Sequence, residues 1–504
     1  MGVQGTLDLP AYSGEFAPVP TMPVMLILIH GVLGKFGAEY IVNDPQTYAR
    51  TIGLSAKDYR TAESAWNALT GDSALRTTGS IDQFAAWLKE TPRLDLGNHR
   101  SAFLTSSSYL AFKSLLDVLC RMPEIHRHHS RTELGERLHT EIARTWRSAL
   151  ETNAIEDFRE FIPPFIETLK SHRPQVRLYR MLRGLTFTDL AELQIGRIVV
   201  RNANVEEFPE APAPGLISEQ NAATHRNFLN KTFLTGLCLV GEYKADWGKA
   251  HELFEIDCRR AIDTLRFVVS IATVKDAPDP RVRIRFASDA PTGEKATIVV
   301  NLDKESTGFS IGGEVSLTEF EISSGNLQLL KSDWNWDAVS TIGATEPLST
   351  MDQLILRAMQ WLGDAQDDVD RESAYVKYWI CLETLFTGGE RGSGDVSGNL
   401  ARSIAVLLTC GEHPYEILGD FWKLHARLKQ LYAVRSDIVH RGLANRLSDQ
   451  KLADVRRFAT HCILALVDLK SRGVNERSKV QEGINRLFAK VELKVPRQPA
   501  TDGE

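Results

Sequence analysis

A change of hydrophobic period along the chain constrains its fold more than any other feature. From Ser349 to about Val491 apolar residues recur at three and four, the pattern of packed amphipathic helices. Between Arg281 and Ser323 the pattern alternates instead, in segments 281–287, 296–302, 309–315 and 319–323, with Pro291-Thr-Gly293 and Ser324-Gly325 among the turn residues. That predicts an antiparallel meander. Asp246 to Thr273 predicts one long helix with Leu253, Ile256, Ala261, Leu265 and Val268 as its apolar residues. Upstream, Asp44 to Leu193 reads as mainly helical, in 84–88, 104–119 and 134–150, with a capping box at Ser80-Ile-Asp-Gln83 and a break at Pro163-Pro164. Ile195 to Arg201 is strand-like, and Pro209, Pro212 and Pro214 mark a loop. At 504 residues the chain exceeds what one core usually organises. The expected class is α+β, multidomain: a mainly helical region 1–195, an α+β region 196–349 with the long helix and a small antiparallel meander, a helical bundle 350–492, and a disordered tail 493–504.

Hydrophobic residues make up 43% and charged residues 25%, which excludes a wholly disordered, collagen-like or disulfide-scaffold chain. Six cysteines (Cys120, Cys238, Cys258, Cys381, Cys410, Cys462) stand far apart, as in a protein kept reduced. The apolar run Pro23 to Leu33, containing a short buried piece at Val24 to Ile29, is about half the length of a membrane span and lacks a basic segment before it. A cytoplasmic protein with no membrane partner is expected. Net charge is −6, yet Phe421 to Arg457 carries nine basic residues (Lys423, Arg427, Lys429, Arg435, Arg441, Arg446, Lys451, Arg456, Arg457) against Asp437, Asp449 and Asp454, a local +6. Such a patch can mark where a polyanion docks, or be a solvated helix face.

Several motifs fail their context. Gly308-Phe-Ser310-Ile-Gly312 matches G-x-S-x-G, and His30-Gly31 suggests an oxyanion loop, but no buried strand leads into the serine and no helix leads out. His126-Arg-His128-His129 lacks a zinc spacing and is flanked by Arg121, Arg127 and Arg131, so an exposed polar turn is expected. His251-Glu-Leu-Phe-Glu255 lacks the second histidine of a zinc protease helix. Gly388-Gly389 and Gly392-Ser-Gly394 read as a flexible connection. No metal and no cofactor is expected.

The informative segment is Leu431-Tyr-Ala-Val-Arg435-Ser-Asp-Ile-Val-His440-Arg-Gly442. It closes a helix that begins near Tyr415, with Leu424, Leu428, Leu431 and Val434 as the core stripe and Gly442 as the stop. Helix geometry sets Arg435 and His440 roughly 140° apart and about 7.5 Å along the axis, so a second copy of the helix could complete a shared site. An arginine can hold a phosphate and a histidine can move a proton near neutral pH, which together suffice for metal-free RNA cleavage. An Arg–Asp pair and a capping histidine account for the same residues without chemistry.

Two blocks in order resemble the HEPN superfamily, and within it the ApeA-like HEPN group, over roughly residues 350–475. The first is Tyr378-Trp-Ile-Cys-Leu-Glu383-Thr-Leu-Phe386, similar to the group's acidic helix, and the second is Arg435-Ser-Asp-Ile-Val-His440, similar to its R-x(4–6)-H signature. The group commonly places glycine directly after the histidine, whereas here Arg441 intervenes. The resemblance implies a helical bundle that dimerises with both motifs facing one another, a metal-independent endoribonuclease of a kind often found in toxin–antitoxin, CRISPR or antiphage systems. Arg435 would stabilise the scissile phosphate and His440 would act as general acid or base. Glu383 would orient Arg435, and Ser436 and Asp437 would position the site. Arg441, Arg427, Lys429 and Arg446 are the RNA-binding candidates. RNA (tRNA included), a second copy of the chain or a higher oligomer, and a phage-derived or protein trigger are the partners this implies, with residues 1–350 as the restraint. The alternative is a non-catalytic HEPN protein that binds RNA, a nucleotide or a protein.

Overall fold

Buried apolar side chains form two separate cores, one drawn from residues 49–169 and one from 176–484, and the chain divides accordingly into Met1–His172 and Arg173–Glu504. The computed structural model describes residues 49–71, 74–76, 93–96, 101–152, 154–204, 207–208, 236–273, 284–286, 297–301, 306–309, 319–368, 370–386, 396–410, 420–443 and 446–494. The expectations for 24–29, 80–88, 209–214, 310–315, 388–394 and 495–504 lie outside these residues.

The N-terminal unit runs α1 (Ala56–Thr70), β1 (Leu75–Arg76), β2 (Arg93–Asp95), β3 (Ser101–Leu104), α2 (Ser106–Arg121), α3 (Pro123–His126), α4 (Arg131–Thr152) and α5 (Phe158–Ser171), with a three-stranded sheet in the order β1-β3-β2. The helices expected in 104–119 and 134–150 are α2 and α4. The break expected at Pro163-Pro164 is not there, because α5 runs through both prolines. Prolines inside a helix cost on the order of 3 kcal/mol. Against that, α5 buries Phe158, Phe161, Ile162, Phe165, Ile166 and Leu169, each contributing about 1.5–3 kcal/mol, and Phe161 stacks on Trp66 at 3.8 Å. The polar turn expected at His126 to His129 is present with His126 and Arg127 exposed, and His129 alone departs from it. His129 is 2% exposed and its Nε2 lies 2.7 Å from the Leu169 carbonyl oxygen, a donor satisfied inside the core.

The C-terminal unit begins with β4 (Gln175–Arg183), β5 (Leu185–Phe187), β6 (Glu192–Ile195), β7 (Ile198–Asn202) and β8 (Leu237–Lys244), followed by α6 (Trp247–Ala272). Three strands thus precede the expected boundary at 195. Strand β4 escapes a period-2 reading because it is buried on both faces inside a seven-stranded sheet, whose order is β11 (Ser306–Phe309), β10 (Thr297–Asn301), β4, β8, β7, β6, with β9 (Arg285–Phe286) as a seventh strand on β4. Even Arg180 is buried there, paired with Glu255 at 2.6 Å. The strand-like piece 195–201 is a hairpin, with Ile195 opposite Ile198 across a two-residue turn. The meander is corrected as well. Strands β10 (Thr297–Asn301) and β11 (Ser306–Phe309) form a hairpin that adds to β4, β9 (Arg285–Phe286) pairs with the far end of β4, and β12 (Phe320–Ile322) pairs in parallel with β5.

The long helix expected over 246–273 is α6, capped by the Asp246 side chain on the Lys249 N–H at 2.8 Å. It crosses the sheet so closely that a Cβ at Gly241 would lie 3.0 Å from Phe254 and 2.8 Å from Tyr243, so only glycine fits that position of β8. Helices resume at α7 (Ser324–Trp334) and α8 (Trp336–Thr341), earlier than Ser349. Ser349 itself caps α9 (Thr350–Asp367) with a complete capping box. Then follow α10 (Arg371–Phe386), α11 (Val396–Cys410), α12 (Phe421–Arg441), α13 (Asp449–Ser471) and α14 (Arg477–Lys494). Helix α6 also packs on this bundle: the Ser270 and Thr460 hydroxyls meet at 2.7 Å, and a Cβ at Gly363 would come within 3.0 Å of Arg266. Sheet, α6 and bundle therefore share one apolar core, and the boundary expected at 349 falls inside it. Among the described residues no helix is long and apolar enough to cross a membrane.

One titration follows from this packing. Burial, with Arg457 beside it, pushes the His461 imidazole on α13 down to about 4. Unfolded, a histidine titrates near 6.5. Between those values the unfolded chain binds the extra proton, so this contribution is complete above pH 6.5 and is lost as pH falls. Urea unfolding should show the C-terminal unit about 2 kcal/mol weaker at pH 5 than at pH 7 from this group, and His461→Gln should remove that difference.

Candidate active site

Helix α12 carries the R-x(4)-H segment, and its ends are set by local chemistry. The Asp420 side chain accepts from the Trp422 N–H at 2.8 Å and the Lys423 N–H at 3.3 Å. At the other end Gly442 is left-handed (φ 62°) and donates its N–H to the Ile438 carbonyl at 3.0 Å. Phe421, Leu424, Leu428, Leu431 and Val434 are buried as the stripe requires. That stripe fixes the helix rotation, and the rotation decides where the polar side chains go.

Arg435 follows Val434 and faces inward, with its side chain 17% exposed. Its Nη2 lies 3.2 Å from Glu383 Oε1 and 3.3 Å from Oε2, on α10. Tyr432, one turn earlier on α12, donates its hydroxyl to the same Oε1 at 3.1 Å and sets its ring 5.5 Å from the guanidinium carbon. Trp379 meets the Tyr432 ring edge-on at 5.1 Å. Burial first, then the Glu383 charge, push the Tyr432 phenol up, so it remains a donor through neutral pH. Arg435 Nε is buried with no partner among the described residues.

His440 lies on the other side of α12. It is exposed, and among the described residues no side chain hydrogen-bonds or pairs with it. Lys429 is exposed eleven residues earlier, within about 20° of His440 around the helix. Ser436 is half-buried and makes no side-chain hydrogen bond among the described residues. Asp437 pairs with Arg441 at 3.2 Å and Arg446 at 3.0 Å, both of them 68% exposed. The local Arg–Asp pair that could have explained Arg435 is therefore absent, since Asp437 is engaged by other arginines and Arg435 by Glu383.

The basic patch is partly dispersed by folding. Arg456 is 1% exposed and donates to the Thr273 carbonyl at 2.8 Å, which places it in the core. Arg427 pairs with Asp454 at 2.8 Å on α13, away from the His440 face. Of the RNA-binding candidates, Arg441, Arg446 and Lys429 are exposed, and Arg427 is turned aside. Tyr432 and Trp379 went unnoticed in the sequence. Their signals were present, as Tyr432 stands three before Arg435 and Trp379 four before Glu383, the spacings that share a helix face.

The fold and the site are not matched by any family model, curated protein or solved structure. Among the described residues no group of three or more histidine, cysteine, aspartate or glutamate side chains could hold a metal ion.

The stop at Gly442 makes a clean test of how the α12 end is held. A Cβ there would meet nothing within 4 Å, so Gly442→Ala carries only the cost of the left-handed backbone, about 1 kcal/mol, and Gly442→Asn should cost less. Chemical denaturation of the three proteins checks both the size and the order.

Proposed function

We propose that the chain is a metal-independent endoribonuclease of the HEPN type that works as a dimer in the cytoplasm, as an effector of bacterial defence or a toxin-like system. The observation that carries this reading is the clamp on Arg435: a guanidinium five residues before an exposed histidine is held by Glu383 on the neighbouring helix. In this reading Arg435 binds the scissile phosphate and stabilises its developing charge. His440 moves the proton between the ribose 2′-hydroxyl and the leaving 5′-oxygen. The 2′-oxygen bonds to phosphorus as the P–O5′ bond breaks, and no external water or metal is needed for that step. Asp437 holds Arg441 and Arg446 beside the site, where they meet flanking phosphates.

The dimer rests on the exposed side of α12. Trp422, Ala426, Lys429, Ala433 and His440 share one exposed stripe, and the small residues in its middle allow a second helix to approach. Arg435 and His440 diverge within one protomer, so a second α12 laid against this stripe brings the two kinds of side chain to one substrate. Restraint is assigned to residues 1–172, a compact unit with its own core.

A second reading, a non-catalytic module that binds RNA, a nucleotide or a protein, is favoured by one observation. Among the described residues nothing fixes the tautomer of His440.

Cleavage of total RNA and tRNA in EDTA separates the two. Wild type should cut, and Arg435→Ala and His440→Ala should each lower the rate at least a hundredfold. RNA binding without cleavage, in the full chain and in a chain lacking residues 1–172, would favour the binding module. Greater cleavage by that shortened chain is the result expected of a restraining N-terminal unit.

A further inference from the structure

We propose that Tyr432 is the positioning residue of this site: its hydroxyl fixes the Glu383 carboxylate and its ring supports Arg435, so the guanidinium is oriented before RNA arrives. The inference rests on the nuclease reading above and adds a residue that neither block of the motif contains.

The Glu383–Arg435 pair alone is a loose device. Only one guanidinium nitrogen, Nη2, contacts the carboxylate, at 3.2 and 3.3 Å to its two oxygens, and Arg435 has no parallel two-nitrogen fork with Glu383. A fork fixes the plane of both groups, whereas a single nitrogen leaves the guanidinium free to turn. The two side chains are 17% and 20% exposed, so water screens their attraction in part.

Tyr432 acts on both members of the pair. Its hydroxyl donates to Glu383 Oε1 at 3.1 Å, which holds the carboxylate against rotation. Its ring stands 5.5 Å from the guanidinium carbon, within the range of cation–π attraction. The tyrosine is in turn braced, because Trp379 on α10 meets its ring edge-on at 5.1 Å with an interplanar angle of 88°. Two helices thus hold one arginine through a Trp–Tyr–Glu–Arg chain. The Tyr432 proton is committed to a carboxylate, so the residue positions the site through its neighbours and does not itself exchange protons with substrate. A donor aimed in advance at developing phosphoryl charge lowers the barrier more than it tightens ground-state binding. Losing Tyr432 should therefore fall on kcat.

The test uses the full chain and tRNA as the probe, with kcat, KM and the thermal midpoint measured together. Tyr432→Phe keeps the ring and removes only the hydroxyl. It should lower kcat about tenfold, the effect of one hydrogen bond to a charged group, with KM and the thermal midpoint close to wild type. Tyr432→Leu, which also removes the ring, should lose more. In a Glu383→Gln background Tyr432→Phe should cause less than a twofold further loss, because both act through the same guanidinium. If Tyr432→Phe cuts within twofold of wild type while Arg435→Ala does not cut, the positioning role is overturned and the nuclease reading stands. A full tenfold loss in the Glu383→Gln background also overturns it, since Tyr432 would then act elsewhere. If Arg435→Ala equals wild type, or wild type leaves tRNA intact, the nuclease reading has failed and this inference with it.

Discussion

The rotation of α12 about its own axis is the constraint on which the candidate site depends. Leu424, Leu428, Leu431 and Val434 are all buried, and removing any of these leucines would cost on the order of 2–5 kcal/mol, so the helix has one stable orientation. With that orientation set, Arg435 must point toward α10 and His440 must point to solvent. A charged side chain turned toward a core needs a partner, and Glu383 provides it. The candidate site is thus two side chains aimed apart by one helix, one clamped against α10 and one open to solvent.

The same economy of contacts runs through the C-terminal unit. Helix α6 lies between the sheet and the bundle, with Gly241 open beneath Phe254 on one side and Ser270 bonded to Thr460 on the other. A core that continues from β4 to α14 couples the helix that bears the motif to a sheet far from it in sequence. The bundle is therefore not a detachable module beginning at 350. Any truncation meant to isolate the candidate site has to begin near residue 173, where one core ends and the other starts.

Charge shows the difference between composition and surface. The stretch 421–457 is strongly basic in sequence, yet Arg456 enters the core, Arg427 and Arg457 turn to Asp454, and Asp437 gathers Arg441 and Arg446. What remains outward is a smaller set, Lys423 and Lys429 along α12 and Arg441 and Arg446 at and beyond its end.

Much of the helical framework was legible in the sequence because its causes are local. The 3.6-residue stripe and the Gly442 stop act within a few residues and stand where the sequence placed them, and the helices read from Ser349 and Asp246 start there, at side-chain caps equally local in origin. The sheet was not legible in the same way. A central strand such as β4 is buried on both faces and shows no alternation, while the partners of β9, β10 and β12 are chosen by closures across long stretches of chain. The prolines of α5 were misread because a local penalty was outweighed by six buried apolar residues that only the folded unit brings together. At the candidate site the sequence by itself determined which residue types stand five apart on one helix. Only the tertiary structure decided that Arg435 is held by Glu383 and Tyr432 while His440 is left to solvent, because those contacts depend on how α10 and α12 cross, and no local signal encodes a crossing.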